Sequence, residues 1–446
     1  MSPLGRLELY LITFNCARQL IDPAVLGPQL FRALPHNASL PDIVVVSLQE
    51  IAPIAYSFLG GLHLVPYFAR VTHTLQVAVN SHDVGNQEQY KNVITRHIGM
   101  TAIMIFAKPD VASKIKWIST AGVGVGLWEM GNKGAVGVKL GYALGSRDKE
   151  MIITLIAAHL APMENAVMRR NADWANIVKR LVFTSDERHG LSRSTSDDPD
   201  NEEQQPLLTP DAAKTEGNAP SGLYDPRSHV FFAGDLNYRA HNSPPTPSAH
   251  TSYPQPTSSP TSPKHYSHFL PSDQLTQQLR AGRTLHGFTE PPIAFPPTYK
   301  YSSKQPVPSS SEEPEKWIWA RHRFPSWCDR ILYLPSPFAS PQDQLVSHTY
   351  TALPIQPTSD HRPVALSISV PLKPVMLPSG TDDVRVNPPF AIDPNWKARR
   401  GAARTREQIV GLMAYFVLTW EGRRVLFAIL GGALGGWVLI RYLLFR

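Results

Sequence analysis

Eight short runs of the chain, residues 7–14, 43–48, 101–107, 134–140, 151–158, 229–233, 330–334 and 364–370, are apolar at nearly every position and rich in Val, Ile and Phe. Runs of this length are too short for ordinary helices. Their lack of alternation marks strands of sheets covered on at least one face. One longer stretch, 164–183, sets Val167, Ala175, Val178 and Leu181 among Arg, Asn and Lys with a helical period. Buried strands interspersed with occasional helices predict a layered α/β sandwich, with strand order left open. The 446 residues, 42% of them hydrophobic, suffice for one core of roughly 250–300 residues plus linkers or a tail. Disorder throughout is excluded.

Three stretches interrupt the pattern. Residues 185–227 include the acidic run SDDPDNEEQQ, and residues 241–264 hold seven prolines among Ser and Thr. Such compositions bury too little apolar surface to offset ordering entropy, so both are expected to be disordered insertions at the surface. Residues 372–408 read as a basic linker rich in Pro, Asp and Arg. The N-terminal residues 1–16 read as a strand, since no small-residue cleavage site follows the apolar part. Two cysteines, Cys16 and Cys328, make no disulfide framework and fit a reducing compartment.

The formal charge of +7 resides wholly in residues 396–446, which hold nine basic and two acidic side chains; the preceding 395 residues balance 34 of each sign. Duplex-binding proteins spread cations over the folded body, so no nucleic-acid partner is expected. The tail reads instead as a membrane element. Its 16 uncharged residues 425–440 reach about 24 Å as a helix, extended by snorkelling of Arg441 and by residues 442–445. Residues 409–424 are expected at the interface or in a re-entrant segment, with the anchor at 425–445. Gly431, Gly432, Gly435 and Gly436 form small-xxx-small pairs suited to helix–helix self-association. Cations are denser upstream of the span, which predicts a cytosolic body. A short span suits the thin endoplasmic reticulum membrane, and the basic end RYLLFR would equally suit the mitochondrial outer membrane.

Polar residues close the apolar runs with regularity: Asn15, Gln49 with Glu50, His159, and Asp235 with Asn237. Sheet edges are where α/β folds bind ligands. In SDHRPV, Asp360 and His361 are adjacent, so both can serve one site only if the backbone there is a loop or bulge. Hydrolysis of a phosphoester needs a hard cation on oxygen ligands, a base for water, and donors for charge on phosphorus. Glu50 can serve the first need, Asp235 the second, and Asn237 with His361 the third, with Asp329 orienting the imidazole. A cysteine-phosphatase loop is excluded, because Asp22 and Leu334 stand where its arginine belongs; no HExxH, CxxC or GxxxxGK[ST] occurs.

The set FNCAR (14–18), SLQE (47–50), WEMGNKGAVGVKL (128–140), HLAP with RRNADW (159–162, 169–174), GDLNYR (234–239), GFTEPPIAFPPTYKY (287–301), RFPSWCDRIL (323–332) and SDHRPV (359–364) resembles the inositol polyphosphate 5-phosphatases. These belong to the endonuclease/exonuclease/phosphatase superfamily, and the resemblance is to a tail-anchored, fungal type acting on phosphatidylinositol 4,5-bisphosphate. It covers residues 6–371 and implies a four-layered, DNase-like α/β sandwich with its site at one sheet edge. It further implies Mg²⁺ held by Glu50 with Asn15, a water prepared by Asp235, and phosphate contacts from Asn237, His361 and His159, with Asp329 steadying His361. Asp360 joins the metal candidates. Tyr299 and Lys300 match residues gripping a neighbouring 4-phosphate, with Arg321 or Arg323 nearby, and Asn132 and Lys133 are placed in the same pocket. Met163 stands where the family has a second histidine, so a phosphate or water contact is expected to be looser.

The expected activity is Mg²⁺-dependent hydrolysis of phosphatidylinositol 4,5-bisphosphate to phosphatidylinositol 4-phosphate by a catalytic domain, residues 1–371, tethered to a membrane. The alternatives are a phosphodiesterase of the same superfamily, acting on abasic duplex or sphingomyelin-like lipid, and a catalytically silent phosphoinositide-binding tether. The neutral body disfavours the nuclease, and the cations of PTYKY suit a second phosphate.

Overall fold

Strand β1 (Arg6–Asn15) shows why the apolar runs carry no alternation. Leu7, Leu9 and Leu11 enter one apolar cluster while Tyr10, Ile12 and Phe14 enter another on the opposite face. The computed structural model describes residues 5–82, 89–145, 149–185, 221–257, 259–305, 313–336, 338–377, 380 and 382–445. The remaining strands are β2 (Ile43–Gln49), β3 (Lys91–Ile98), β4 (Thr101–Ala107), β5 (Ile115–Gly124), β6 (Gly134–Ala143), β7 (Glu150–His159), β8 (Thr184–Ser185), β9 (Ser228–Asp235), β10 (Asp329–Tyr333), β11 (Val346–Ala352) and β12 (Val364–Pro371). All eight apolar runs are strands. The helices are α1 (Pro23–Leu26), α2 (Ile54–Leu59), α3 (Val65–His82), α4 (Pro109–Ala112), α5 (Val167–Arg180), α6 (Gln274–Arg280), α7 (Trp396–Leu418) and α8 (Trp420–Leu444).

Two six-stranded sheets, ordered β11-β12-β1-β2-β4-β3 and β10-β9-β7-β6-β5-β8, pack face to face. One cluster between them takes Leu9, Val45 and Ile105 from the first sheet and Val138, Leu155 and Phe231 from the second. On the outer face of the first sheet, Val44, Val46 and Met104 meet Leu26 of α1 and Leu75 and Val79 of α3. On the outer face of the second, Ile156, Val230 and Phe232 meet Trp174 and Ile177 of α5 and Leu275 of α6. The result is the expected four-layered sandwich.

The proline-rich stretch 241–264 departs from expectation: its described residues pack. Tyr253 is buried against Trp317, Trp319 and Tyr301. Trp319 Nε1 donates to the Pro254 carbonyl at 2.7 Å, and Gln255 bonds both the amide and the carbonyl of Trp317, each at 3.1 Å. One aromatic anchor and two backbone locks offset an entropy cost that proline had already lowered in the unfolded chain. Most of the other expected insertion, residues 186–220, lies outside the described residues.

Residues 382–395 are likewise a strap across the body, not a free linker. Arg385 is buried and donates to the carbonyls of Ser228, Leu334 and Pro335, and Phe390 packs on the outer cluster of the second sheet. From residue 396 the chain is helical. α7 runs through both the expected linker end and the expected re-entrant segment, with Ala403, Glu407 and Gly411 turned inward. A break at Thr419, whose hydroxyl caps the Gly422 amide, starts α8. That helix has 25 residues, about 37 Å at the helical rise, which removes the shortfall anticipated for a 16-residue span. Among the described residues it is the one helix long and apolar enough to cross a membrane.

Two imidazoles, the buried His229 and the partly buried His97, should make this packing acid-labile. Burial lowers the affinity of His229 for a proton to about 4, against the nearby carbonyl of Lys373. Burial, then Arg404, Arg400 and Arg96, bring His97 to about 4 as well. The unfolded chain takes up these protons near pH 6.5 while the folded chain resists, so stability is complete above about 6.5 and is lost as pH falls toward 4. His229 alone accounts for about 3 kcal/mol across that window. Denaturant midpoints at pH 7 and pH 4.5 test this: His229→Gln should flatten the difference, and an unchanged slope would refute it.

Candidate active site

Strand register brings the polar strand ends together before any side chain is considered. β7 and β9 run parallel with His159 opposite Asp235, and β9 and β10 run antiparallel with Asp235 opposite Asp329. Gly234 allows this closeness: a Cβ there would lie 1.9 Å from the Ala158 carbonyl oxygen on β7. In the other sheet β1 and β2 end together at Asn15 and Gln49. Asn15 Nδ2 crosses between the sheets to donate to Asp235 Oδ2 at 2.9 Å.

The residues just past the strands then turn sharply. Glu50 and Asn237 hold φ of 46° and 57°, a left-handed conformation uncommon for residues with a side chain. Both line the cleft. Gln49 does not: it is fully buried, bonded to Thr13 and Ser47, so its place at a strand end is structural. Ser359 makes the turn required for adjacent Asp360 and His361 to share a site, since its Oγ accepts from the His361 amide and donates to the Asn15 carbonyl.

The resulting cleft, about 1170 Å³, is lined by Asn15, Glu50, Lys133, His159, Asp235, Asn237, Tyr299, Lys300, Arg321, Asp360 and His361. Asp235 sits at its base. Its Oδ2 lies 3.2 Å from His159 Nε2, and its Oδ1 accepts from the Asn237 amide at 3.1 Å. Burial opposes its charge, but the His159 contact and the cations His361 and Lys133 prevail and hold the carboxyl below its ordinary range. His159 is displaced the opposite way, toward the neutral form, by burial and by Lys133, whose Nζ lies 2.5 Å from Nε2. Burial also weakens the hold of Lys133 on its own proton.

His361 and Asp329 form a second pair. Nδ1 lies 2.8 Å from Asp329 Oδ2, which also accepts from Thr298 Oγ1 at 2.7 Å. Burial disfavours the imidazolium, yet Asp329, then Asp235 and Asp360, raise His361 to about 9. Asp329 is fully buried behind the ring and does not line the cleft, as an orienting residue should. Asp235, Asp329 and His361 each place a ligand-type atom within 4.8 Å of the others. With Asp329 committed to His361, that trio suits proton and charge management better than metal binding.

Oxygen ligands for a cation stand beside this cluster, since Asn15 bonds Asp235 and Lys133 bridges from His159 toward Glu50. The Glu50 carboxylate is approached by Arg18 Nε at 3.2 Å and Lys133 Nζ at 3.9 Å, so this corner attracts positive charge. Asn15 Oδ1 accepts the Ala17 amide at 3.0 Å and retains a second lone pair. These hard oxygen donors fit Mg²⁺ or Ca²⁺. Asp360, the third expected ligand, lines the same cleft and pairs its carboxylate with Lys300 Nζ.

Tyr299 and Lys300 form the wall beside His361. The Tyr299 backbone bridges to both Ser326 and His361, and its ring lies 4.6 Å from the imidazole. Two arginines of the cleft were not assigned roles from sequence. Arg239 is buried with its guanidinium 4.3 Å from the Tyr299 ring and Nη2 bonded to Asn237 Oδ1. It lies two residues beyond Asn237 in GDLNYR, which was its one sequence signal. Arg18 closes the FNCAR motif, but only the left-handed turn at Ala17 and Arg18 aims it at Glu50. Arg323 and Asn132 are not among the lining residues. Arg323 pairs with Glu164 at 3.5 Å and meets Met163, which is half exposed, while Asn132 Oδ1 is buried without a hydrogen-bond partner.

Comparison with known proteins matches residues 12–367 to the family described as Endonuclease/Exonuclease/phosphatase family 2. The Type IV inositol polyphosphate 5-phosphatase 3 of Arabidopsis thaliana is 30% identical over 62% of this chain and 33% of its own length. The Polyphosphatidylinositol phosphatase INP53 of Saccharomyces cerevisiae is 28% identical over 73% of this chain and 23% of its own. The chain thus spans a third or less of these relatives. Among solved structures, the inositol polyphosphate 5-phosphatase domain of SPsynaptojanin, in complex with inositol (1,4)-bisphosphate and calcium ion, superimposes with a TM-score of 0.55. The match is 22% identical and covers 91% of this chain and 92% of that one, which bears on the fold.

Proposed function

We propose, since this chain belongs to Endonuclease/Exonuclease/phosphatase family 2, that it is a phosphoinositide 5-phosphatase converting phosphatidylinositol 4,5-bisphosphate to phosphatidylinositol 4-phosphate. One observation carries the reading: the hydrolytic cluster around Asp235 and the cationic wall of Tyr299 and Lys300 share one cleft, joined through the backbone bridge from Tyr299 to His361. A vicinal bisphosphate needs both at once. The named relatives, inositol and phosphoinositide phosphatases, support the substrate class.

In this reading Asp235 accepts the proton of the attacking water, held in place by Asn15 and the Asn237 amide. His361, kept protonated by Asp329, directs Nε2 to a phosphoryl oxygen, and Asn237 and Lys133 add donors for the charge that develops there. Lys300 and Tyr299 hold the 4-phosphate, with Arg321 at the rim. Glu50 and Asn15 would hold Mg²⁺ through their oxygens, and the ion would supply positive charge to offset the charge that develops on the phosphate. Glu50→Gln should weaken Mg²⁺ binding about 10- to 100-fold, read by calorimetry with the metal alone. Lys300→Ala should lower kcat/KM about 10- to 100-fold for 4,5-bisphosphorylated substrates and little for a lipid phosphorylated at the 5-position alone.

Membrane attachment through α8 places the cleft at a lipid surface, and Arg423 and Arg424 at its start add attraction to anionic lipid, about 1 kcal/mol each. The cytosolic face of the endoplasmic reticulum is the proposed location, with the mitochondrial outer membrane as the alternative that imaging of the 396–446 tail decides. The exposed glycines at 431, 432, 435 and 436 are open to helix–helix self-association. Phosphate release from a panel of inositides, with and without Mg²⁺, tests the function. Hydrolysis of abasic duplex or choline lipid in place of 5-phosphates would refute it.

A further inference from the structure

Helix α7 joins the candidate membrane helix to the body, and it also grips two segments that adjoin cleft residues, the turn that leads into Lys133 and the helix that follows Glu50. The first is the turn from Gly126 to Lys133 between β5 and β6, where Trp128 and Glu129 both have positive φ. Glu407 Oε1 accepts the Gly131 amide at 2.8 Å, two residues before Lys133. Arg406 donates to the Trp128 carbonyl at 2.9 Å, and Arg399 pairs with Glu129 at 2.5 Å. The second segment is α2, which begins four residues after Glu50. Arg404 donates to the Phe58 carbonyl at 2.7 Å, and Gly411 packs so tightly that a Cβ there would lie 2.8 Å from Phe58 Cβ.

Glu407 is fully buried. A buried carboxylate is a costly way to attach a helix, since apolar side chains of similar volume serve as well or better. Here Arg400 at 3.4 Å and Arg404 at 3.3 Å balance its charge, leaving its acceptor for one backbone amide of the turn that leads into the cleft. The turn closes on itself through the Val125 and Gly126 amides, which donate to the Lys133 carbonyl, and its Gly131 carbonyl accepts the Met100 amide; Glu407 supplies the acceptor for the Gly131 amide and so ties α7 to the backbone two residues before Lys133.

From this geometry we infer that α7 is a positioning helix, and that Glu407, through the Gly131 amide, sets the Lys133 ammonium in the cleft, so that the tail is part of the phosphate site and not only its tether. The inference rests on the reading of Lys133 as a phosphate contact. Glu407 touches no reacting atom.

The test uses the full chain in detergent micelles, with Glu407→Ala, Glu407→Gln and Gly411→Val, the last displacing α7 without touching Glu407. Amide exchange across residues 125–133 should quicken about tenfold in Glu407→Ala and Gly411→Val and stay near wild type in Glu407→Gln, which keeps the oxygen acceptor. The same two variants should weaken binding of inorganic phosphate about tenfold and lower kcat/KM for soluble inositol 1,4,5-trisphosphate by a similar factor. Faster exchange with unchanged phosphate binding would reduce α7 to a structural support and overturn the inference, as would unchanged exchange. An inactive wild type would sink the proposed function alone, because exchange and phosphate binding still report on the clamp.

Discussion

Asp235→Asn is expected to lower kcat for phosphate release from inositol 1,4,5-trisphosphate by about 10³-fold and to move KM by less than about threefold. The substitution keeps shape and one acceptor: the new Oδ1 can still take the Asn237 amide, so the end of β9 holds its register with β7 and β10. What disappears is the carboxylate that burial opposes and that His159, His361 and Lys133 keep ionised. Without it no other ionised carboxylate stands free at the base, since Asp329 is committed to His361 and Asp360 to Lys300. Single-turnover kinetics separates chemistry from binding. A rate within about tenfold of wild type would remove Asp235 from the role of base.

Asp329→Asn produces the second large effect, and its signature is a shift in pH. In the wild-type protein burial disfavours the His361 imidazolium, but Asp329 leads the carboxylates that raise it to about 9. The positive ring should therefore persist through neutrality and be lost as pH climbs past 9, and the proposed activity should show its alkaline limb there. The stability it contributes follows the same sign, complete below about 6.5 and lost toward 9. With the carboxylate gone, burial becomes the leading influence and the limb should move below pH 7. At pH 7.5 kcat should fall about 10²-fold and recover in part at pH 6. An equal loss at every pH would mean that Asp329 only packs the ring.

Several features were readable from residue order because they follow from local chemistry. A strand covered on both faces must be apolar at consecutive positions, and the eight such runs are strands. The strands that escaped notice are of another kind. β3 and β11 are at or beside sheet edges with polar, partly exposed faces, and β5 dilutes its apolar residues with Ser, Thr and Gly. Asn15, Glu50, His159, Asp235 and His361 were legible because each follows or precedes a buried run, and the cleft gathers them. Composition misled at residues 241–264 and 382–395, where Tyr253, Phe390 and Arg385 hold segments whose average polarity predicted freedom.

The order of residues alone determined which continuously apolar segments enter the sheets, where acids, amides and imidazoles end them, and which tail is apolar enough to meet a bilayer, for these depend on neighbours within one turn or one strand. Only the folded chain decided that Asp360 faces Lys300, that Arg18 and Arg239 enter the cleft, and that Glu407 reaches Gly131. Those pairings join residues from 2 to 276 positions apart, and they arise from register, left-handed turns and the close approach of glycine, quantities that take values only once the two sheets have packed.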